Sequence, residues 1–169
     1  MPRDLSNSFR RMLEAEATGR MVVMVAIFQH ADLSPNIRIV NDTKDYIIGG
    51  DRYYGAPFEC ELVTDTDGLP EARMSCQNVD RRVGLQIENI VESPTVTIRL
   101  YDSNDFNQSV DPRVPTGTPQ VEYEAGDLEF VDIEITAERV SGTLILRDYG
   151  TEPWPKTLAT QARFPGLFL

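Results

Sequence analysis

An unbroken apolar run near the N-terminus restricts the fold more than any other feature of the chain. It extends from Met21 to Phe28 (MVVMVAIF) and is rich in β-branched residues. Its shortness, and its position between Gly19 and the turn-forming ADLSPN, favour a β-strand, whereas periodicity alone leaves a helix as the alternative. Successive side chains of a strand point to opposite faces, so a strand without polar positions needs apolar layers on both faces. The fold must therefore place this strand in its interior.

Two other segments carry apolar residues at helical spacing. The first precedes the apolar run, with Asp4 or Ser6 as the candidate N-cap and Gly19 as its end. The second follows residue 78, with Asp80 as the candidate N-cap and Pro94 as its stop. The apolar faces consist of Leu5, Phe9, Met12 and Leu13 in the first segment, and of Val79, Val83, Ile87, Ile90 and Val91 in the second.

Most of the remaining chain consists of short apolar runs separated by Asn, Asp and Gly, which is typical of a β meander. Strands are expected in IRIV, YII, RYYGAPFECELV, ARMSCQN and TVTIRLY, and a final hairpin in LEFVDIEITAE and VSGTLILRDY. The pattern predicts a mainly β fold of the α+β class, with an N-terminal helix and one internal helix. Local, short strands favour an antiparallel sheet or a small barrel, formed by a single domain of residues 1–150.

Residues 102–119 are the least regular part of this domain. They contain three prolines and no apolar period. Long irregular segments inside a domain are uncommon and are often functional or ordered by a partner. We therefore expect this segment to contact another chain and to be mobile in the isolated protein.

Composition excludes several classes of function. The net charge of -11 at pH 7 disfavours non-specific binding to nucleic acid or to an anionic membrane, because phosphate contacts need Lys and Arg. No apolar run is long enough to span a bilayer, and the N-terminal MPRDLSNSFRR does not read as a secretory signal. Cys60 and Cys76 are too few for a disulfide framework, and we expect two free thiols in a reducing cytoplasm.

Candidate catalytic and metal-binding residues are few. His30 is the single histidine, so neither a histidine-rich metal site nor a Ser-His-Asp triad with a GxSxG elbow is expected. The DTDG turn at 65–68 lacks the glutamate of a calcium loop, since Met74 stands at that position. Carboxylate pairs such as Asp102 with Asp105 are expected by chance among 27 acidic residues. Asp132 and Glu134 alternate with apolar residues, which indicates the solvent face of a strand.

The sequence therefore predicts no catalytic residue, no metal site and no cofactor. Residues 151–169, in contrast, form an extended tail with three prolines and several large apolar residues. Such a tail either covers its own domain or lies on a neighbouring subunit, where extended segments can contact large areas. The candidate interface residues are Trp154, Arg163, Phe164, Leu167, Phe168 and Leu169.

Several stretches together resemble a family of uncharacterised bacteriophage tail proteins. They are the helix followed by RMVVMVAIF, then GGDRYYGAPFE, ARMSCQNVD, SPTVTIRLYDS, the late hairpin and the terminal RFPG. Their order is similar to the amino-terminal domain of the minor tail protein L of lambda-like phages. The resemblance covers nearly the whole chain, and it rests on order and spacing because none of these stretches is a catalytic motif.

This resemblance implies a β-barrel-like tail hub domain and a structural role in the tail tip or baseplate of the virion. Such proteins form a ring, with a trimer favoured and a hexamer as the alternative, between the distal tail protein and the central hub, near the tape measure protein. Assembly would take place in the host cytoplasm, without a membrane or sequence-specific nucleic acid. The chain lacks the Cys-rich extension that carries an iron-sulfur cluster in protein L, so no cofactor is carried over.

Two other functions remain open from the sequence. A tail-associated cell-wall hydrolase would need a cluster of His, Cys or Glu in a cleft. A carbohydrate-binding module would need aromatic side chains on an exposed β face. Tyr53 and Tyr54 are the one aromatic pair, and they would point to opposite faces of a strand.

Overall fold

The computed structural model describes residues 5–61, 71–78, 81–90 and 92–146. Within these ranges the chain forms nine strands, two α-helices and one short 3-10 helix. The elements are α1 (Asn7–Glu14), β1 (Val22–Gln29), β2 (Ile37–Val40), β3 (Tyr46–Ile48), β4 (Asp51–Gly55), β5 (Phe58–Cys60), β6 (Glu71–Gln77), α2 (Arg82–Glu88), β7 (Thr95–Asp102), the 3-10 helix (Ser103–Asp105), β8 (Tyr123–Ile135) and β9 (Arg139–Leu146).

Strand β1 is buried on both faces, as its sequence predicts. Ala26 and Phe28 belong to the central core, the apolar cluster to which β2, β5 to β9 and α2 also contribute. The intervening residues of β1 belong to the second core, which contains Val23, Val25, Ile27, Val40, Tyr46, Ile48, Tyr53, Tyr101 and Phe106. The lack of a polar position in the run is thus explained by two apolar layers, one on each side of the strand.

The strands form one sheet in the order β3-β4-β2-β1-β7-β8-β9-β6-β5. All neighbouring pairs are antiparallel except β2 and β4, which are parallel. The long strand β8 belongs to two halves of the sheet, because β7 pairs with its residues up to Glu129 and β9 pairs with those from Leu128 onward. The two halves share the central core, in which the rings of Phe28 and Phe130 lie 5.8 Å apart.

The sheet curls but does not close into a barrel within the described residues. Its two ends are connected through the chain itself, since β4 leads directly into β5 at the opposite edge. The backbone N–H of Ala56 donates to Val40, and that of Phe58 donates to the Asn41 side chain at 3.1 Å. The predicted mainly β class with two helices is therefore confirmed, with a curled open sheet as its core element.

Helix α1 begins as the sequence predicts. The Ser6 hydroxyl accepts a hydrogen bond from the N–H of Phe9, which makes Ser6 the N-cap. The Ser6 hydroxyl and N–H both donate to the Glu122 carboxylate, at 2.7 and 2.8 Å. Phe9 and Met12 are buried, whereas Leu13 is 53% exposed. The cap therefore starts the helix and also ties it to the chain just before β8.

Helix α2 places Val83 and Ile87 in the central core. Its N-cap position is occupied by Arg81, in the left-handed conformation and without a side-chain cap. The predicted cap Asp80 lies outside the described residues. The buried Asn78 holds the helix instead: its Oδ1 accepts from the N–H of Gly84 at 3.1 Å, and its Nδ2 donates to the carbonyl of Thr136 at 2.8 Å.

Two expectations from the sequence are corrected. The stretch RYYGAPFECELV, predicted as one strand, contains β4 and β5 at different ends of the sheet order, because the chain turns at Ala56 and Pro57. Residues 102–119 are also more regular than predicted. Asp102 ends β7, the next three residues form the 3-10 helix, and Phe106 is buried in the second core. The predicted mobility of this segment and its predicted contact with another chain stay predictions.

Candidate functional site

The predicted interface residues lie outside the described part of the chain. This applies to Trp154, Arg163, Phe164, Leu167, Phe168 and Leu169, and also to the DTDG turn at 65–68. The hypothesis that these residues form a subunit interface therefore stays a prediction.

His30 takes part in a local turn. Its Nδ1 accepts a hydrogen bond from the backbone N–H of Asp32 at 3.1 Å, and the Asp32 carboxylate lies 3.5 Å from the same nitrogen. The side chain of His30 is mostly buried, whereas that of Asp32 is exposed. His30 therefore stabilises the turn that follows β1 and leads to β2.

The pair Asp102 and Asp105 has structural partners. Asp102 is buried, forms an ion pair with Arg20, and accepts from the N–H of Asn104 at the start of the 3-10 helix. Asp105 accepts from the N–H of Gln120 at 3.0 Å. Both carboxylates therefore hold backbone segments in place, which is a different task from general acid–base catalysis.

Asp132 and Glu134 are exposed, in agreement with the predicted solvent face of β8. They lie where the pairing of β8 with β9 shifts register, and Asp132 has a φ of 52°. Both line a shallow polar groove over β5, β6, β8 and β9 together with Glu59, Arg73 and Arg139. The lining carries four acidic side chains, including Glu61, and two arginines, so both signs of charge are present in the groove.

Cysteine and metal chemistry have little support in the described residues. Cys60 and Cys76 are free thiols, and burial raises the pKa of each to about 11. Both are therefore protonated near neutral pH and are weak nucleophiles. Among the described residues, no group of three or more His, Cys, Asp or Glu side chains is placed to hold a metal ion.

The most connected polar cluster is formed by Arg113, Asp42 and Tyr46, which we call the Arg113 anchor. The Nη1 of Arg113 lies 2.5 Å from the Asp42 carboxylate and 2.5 Å from the Tyr46 hydroxyl, which itself donates to Asp42 at 2.9 Å. The guanidinium also lies over the Tyr46 ring, 5.3 Å from its centroid. Only 11% of the Arg113 side chain and 16% of the Asp42 side chain are exposed.

The backbone around the Arg113 anchor is equally connected. The N–H of Arg113 donates to Asp45, and its carbonyl accepts from Ile47, so the segment runs beside β3. The Asp42 Oδ1 accepts from the N–H groups of Thr43 and Lys44, which fixes the turn between β2 and β3. The Arg113 anchor therefore fastens residues 106–115 over the second core. In the sequence, this cluster is indicated by one positively charged residue, Arg113, within the proline-rich DPRVP.

A cleft with a partly apolar lining lies between β2, β4 and α2. We call it the β2–α2 cleft. Its volume is about 390 Å³, at the lower end of the ~300–1,000 Å³ that small-molecule sites occupy. Its rim carries Arg52 and Gln86. Its lining residues are Pro35, Asn36, Ile37, Ile39, Arg52, Tyr54, Gly55, Ala56, Val83 and Gln86.

The two tyrosines of β4 have different environments, as their alternation predicts. Tyr53 is 3% exposed in the second core, and Tyr54 is 40% exposed at the β2–α2 cleft. The Arg52 guanidinium lies 5.6 Å from the centroid of the Tyr54 ring and is itself held by Asp45. Tyr54 therefore contributes one aromatic ring to the cleft, and the pair forms no flat aromatic platform for a sugar.

Comparison with known families places the whole described fold in one group. The family model described as a domain of unknown function (DUF1833) matches residues 8–158. The chain belongs to the DUF1833 family. The DUF1833 range includes the Arg113 anchor, the β2–α2 cleft and all nine described strands. No match was found among curated proteins.

The DUF1833 domain has no helix in its described residues that is long and apolar enough to cross a membrane. Its described polar clusters connect segments of the chain to one another. Several large apolar side chains, in contrast, lie at the surface. The most exposed among the described residues are Leu13, Met21 and Leu85, with exposed fractions of 53%, 55% and 55%.

Proposed function

We propose that this protein is a structural component of a bacteriophage tail tip or baseplate. It forms a ring, with a trimer favoured, that connects the distal tail protein to the central hub. Its partners are other tail proteins, its place is the virion, and assembly occurs in the host cytoplasm. The resemblance of ordered sequence stretches to phage tail proteins motivates the proposal, and the mainly β fold is compatible with it.

The observation that carries the proposal is an exposed apolar residue on a fixed backbone. The N–H of Met21 donates to the Ser103 hydroxyl at 2.8 Å, and the carbonyl of Met21 accepts from the N–H of Ser103. The Met21 side chain is nevertheless 55% exposed, and its neighbour Val22 is 38% exposed. The backbone of Met21 therefore needs no further ordering on binding, and burial of its exposed apolar side chain favours a protein–protein contact.

The charged clusters also support a scaffold role. Arg20 with Asp102 and Arg113 with Asp42 each join segments that are far apart in sequence. Such pairs fix geometry, which subunits of a ring need for repeated contacts to match. The net charge of -11 suits a protein beside a DNA channel, because an acidic surface does not bind the passing duplex.

The test is the composition of purified particles. A phage that encodes this chain is grown, its tails are isolated, and the protein is located by mass spectrometry and by antibody-gold labelling in electron microscopy. We expect a fixed copy number per tail and label at the tip. Absence of the protein from intact, infectious particles would refute the proposal.

A matched pair of variants tests whether the exposed Met21 side chain contributes to assembly. Met21→Asp places a charge on the proposed contact surface without removing the backbone hydrogen bonds to Ser103. Glu88→Lys is the control, because Glu88 is an exposed residue of α2. We expect incorporation into tails to fall about tenfold for Met21→Asp, corresponding to a loss of ~1.4 kcal/mol, and to be unchanged for Glu88→Lys.

A further inference from the structure

We infer that the β2–α2 cleft is the acceptor for the apolar segment 164–169 of a neighbouring copy of this chain. The inference rests on the proposed function, which supplies the neighbouring copy in a ring. It goes further by assigning both members of the contact, a named segment and a named cleft.

The lining of the cleft suits an apolar peptide segment. Ile37, Ile39 and Val83 are buried beneath it, and Tyr54 stands beside it with 40% of its surface exposed. Leu85, next to the lining residue Gln86 on α2, is 55% exposed. A volume of about 390 Å³ accommodates one or two large side chains, and removing the apolar surface of a Phe or Leu side chain from water favours binding.

The chain outside the described structure supplies the matching segment. Beyond β9 it continues for residues 147–169 and contains Phe164, Leu167, Phe168 and Leu169. From residue 153 onward its charged residues are Lys156 and Arg163, both positive, whereas the whole chain carries -11. Segment 164–169 itself has no charged side chain, and Arg52 is the charged residue of the cleft lining, so apolar contacts carry the proposed binding.

The length of the chain allows the contact. Successive strand partners connect Ile37 in the cleft to Leu146 at the end of β9, through Phe28, Val96 and Leu128. Four strand spacings of about 4.8 Å give a distance of roughly 19 Å along the sheet. Residues 147–163 span up to ~56 Å when extended. The connecting residues are much longer than this distance and do not confine the segment to its own domain, and the isotope-labelled cross-links described below distinguish contacts within one chain from contacts between copies.

The experiment uses the full-length chain with the photoreactive residue benzoylphenylalanine in place of Phe168. Chains of natural isotope content are mixed with ¹⁵N-labelled chains at high concentration and irradiated, and cross-linked peptides are identified by mass spectrometry. We expect cross-links to residues 52–56 and 83–86, with peptide pairs that combine one light and one heavy chain. Cross-links to another surface, or pairs formed only within one chain, would overturn the inference.

Two tryptophan variants add a control for the cleft itself. Gln86→Trp fills the rim of the cleft, whereas Glu88→Trp changes an exposed residue about 200° away around the same helix. We expect Gln86→Trp to lower the yield of mixed cross-links about tenfold, because the larger side chain obstructs the cleft, and Glu88→Trp to leave the yield unchanged. Equal yields from both variants would contradict the assignment of the cleft.

The assignment of the cleft can fail independently of the proposed structural role. If Gln86→Trp chains enter tails as efficiently as the natural chain, the cleft assignment fails and the structural role stands. If the mixed cross-links form but the protein is absent from particles, the cleft assignment stands and the structural role fails.

Discussion

Arg113 and Asp42 lie 71 residues apart in the sequence, and their side chains meet at a distance of 2.5 Å. This ion pair connects the proline-rich segment after β7 to the turn between β2 and β3. Both partners are largely shielded from water, and the Tyr46 hydroxyl contacts each of them. The contact therefore explains why a segment without a local apolar pattern has a defined path.

Replacing Arg113 by Met should strongly destabilise the domain. The change leaves the Asp42 carboxylate without its cation and releases the segment over the second core. We expect the free energy of unfolding to fall by about 3 kcal/mol, measured by urea denaturation. Arg99→Met is the control, because the pair of Arg99 with Glu124 is 33% and 48% exposed and should contribute less than about 1 kcal/mol. Equal losses in the two variants would contradict a special role for Arg113.

The Asp42 carboxylate should make stability depend on acid pH. Burial acts to raise its pKa, but hydrogen bonds from Tyr46 and from the Thr43 and Lys44 N–H groups, together with the charge of Arg113, outweigh burial and hold the pKa below its usual 3.8. A group with a lowered pKa in the folded state stabilises above its unfolded pKa, and this contribution disappears as the pH falls through the folded pKa.

We therefore expect the stabilising contribution of Asp42 to be complete at neutral pH and to be lost progressively below about pH 4. Asp42→Asn removes this titration, so its unfolding free energy should change less between pH 5 and pH 3 than that of the natural chain. Urea denaturation at a series of pH values measures both slopes. Parallel curves for the two proteins would show that Asp42 does not contribute to the acid dependence.

The sequence predicted well what depends on local patterns. The uninterrupted apolar run of β1 implied two apolar layers, and its residues do enter two separate cores. The Ser6 cap and the final hairpin were predicted for the same reason. The Arg113 anchor could not be predicted, because Arg113 lies 71 residues from Asp42 in the sequence and each of its residues is unremarkable in its local context. The β2–α2 cleft was missed because it joins β2, β4 and α2 only after folding.

Gly55→Ala should destabilise the turn region beside the Arg113 anchor. A Cβ at this position would lie 2.9 Å from the backbone of Thr43 and Lys44, which cannot move aside as a flexible side chain can. We expect a loss of about 1–3 kcal/mol in the free energy of unfolding. Gly117→Ala serves as the control, since a Cβ there has no neighbouring atom within 4 Å, and its effect should stay within about 0.5 kcal/mol.

Asn78→Ala should loosen helix α2 from the hairpin of β8 and β9. The side chain of Asn78 is buried and bridges Gly84 and Thr136, so its removal leaves the N–H of the buried Gly84 and the carbonyl of the exposed Thr136 without this partner. We expect a loss of about 2 kcal/mol in thermal or urea unfolding. Asn89→Ala removes an exposed local hydrogen bond to Leu85, and a comparable loss there would refute this explanation.

Shortening the chain to end at Thr160 should separate folding from assembly. The change removes Arg163, Phe164 and the apolar residues that follow. We expect the melting temperature to change by less than about 2 °C and incorporation into tails to be lost. A large fall in the melting temperature would instead indicate that the tail covers its own domain.

Because β8 pairs with both halves of the sheet, it determines when the domain can fold during synthesis. Residues 22–55 and 95–102 supply one half of the sheet, and residues 58–77 and 139–146 supply the other, yet each half needs β8 as a neighbour. Neither half can complete its pairing until the ribosome has released residues 123–135. A nascent chain that stops earlier leaves the edge of β7 unpaired, and unpaired edges promote aggregation. The domain should therefore fold as one late event, after most of its length has been translated.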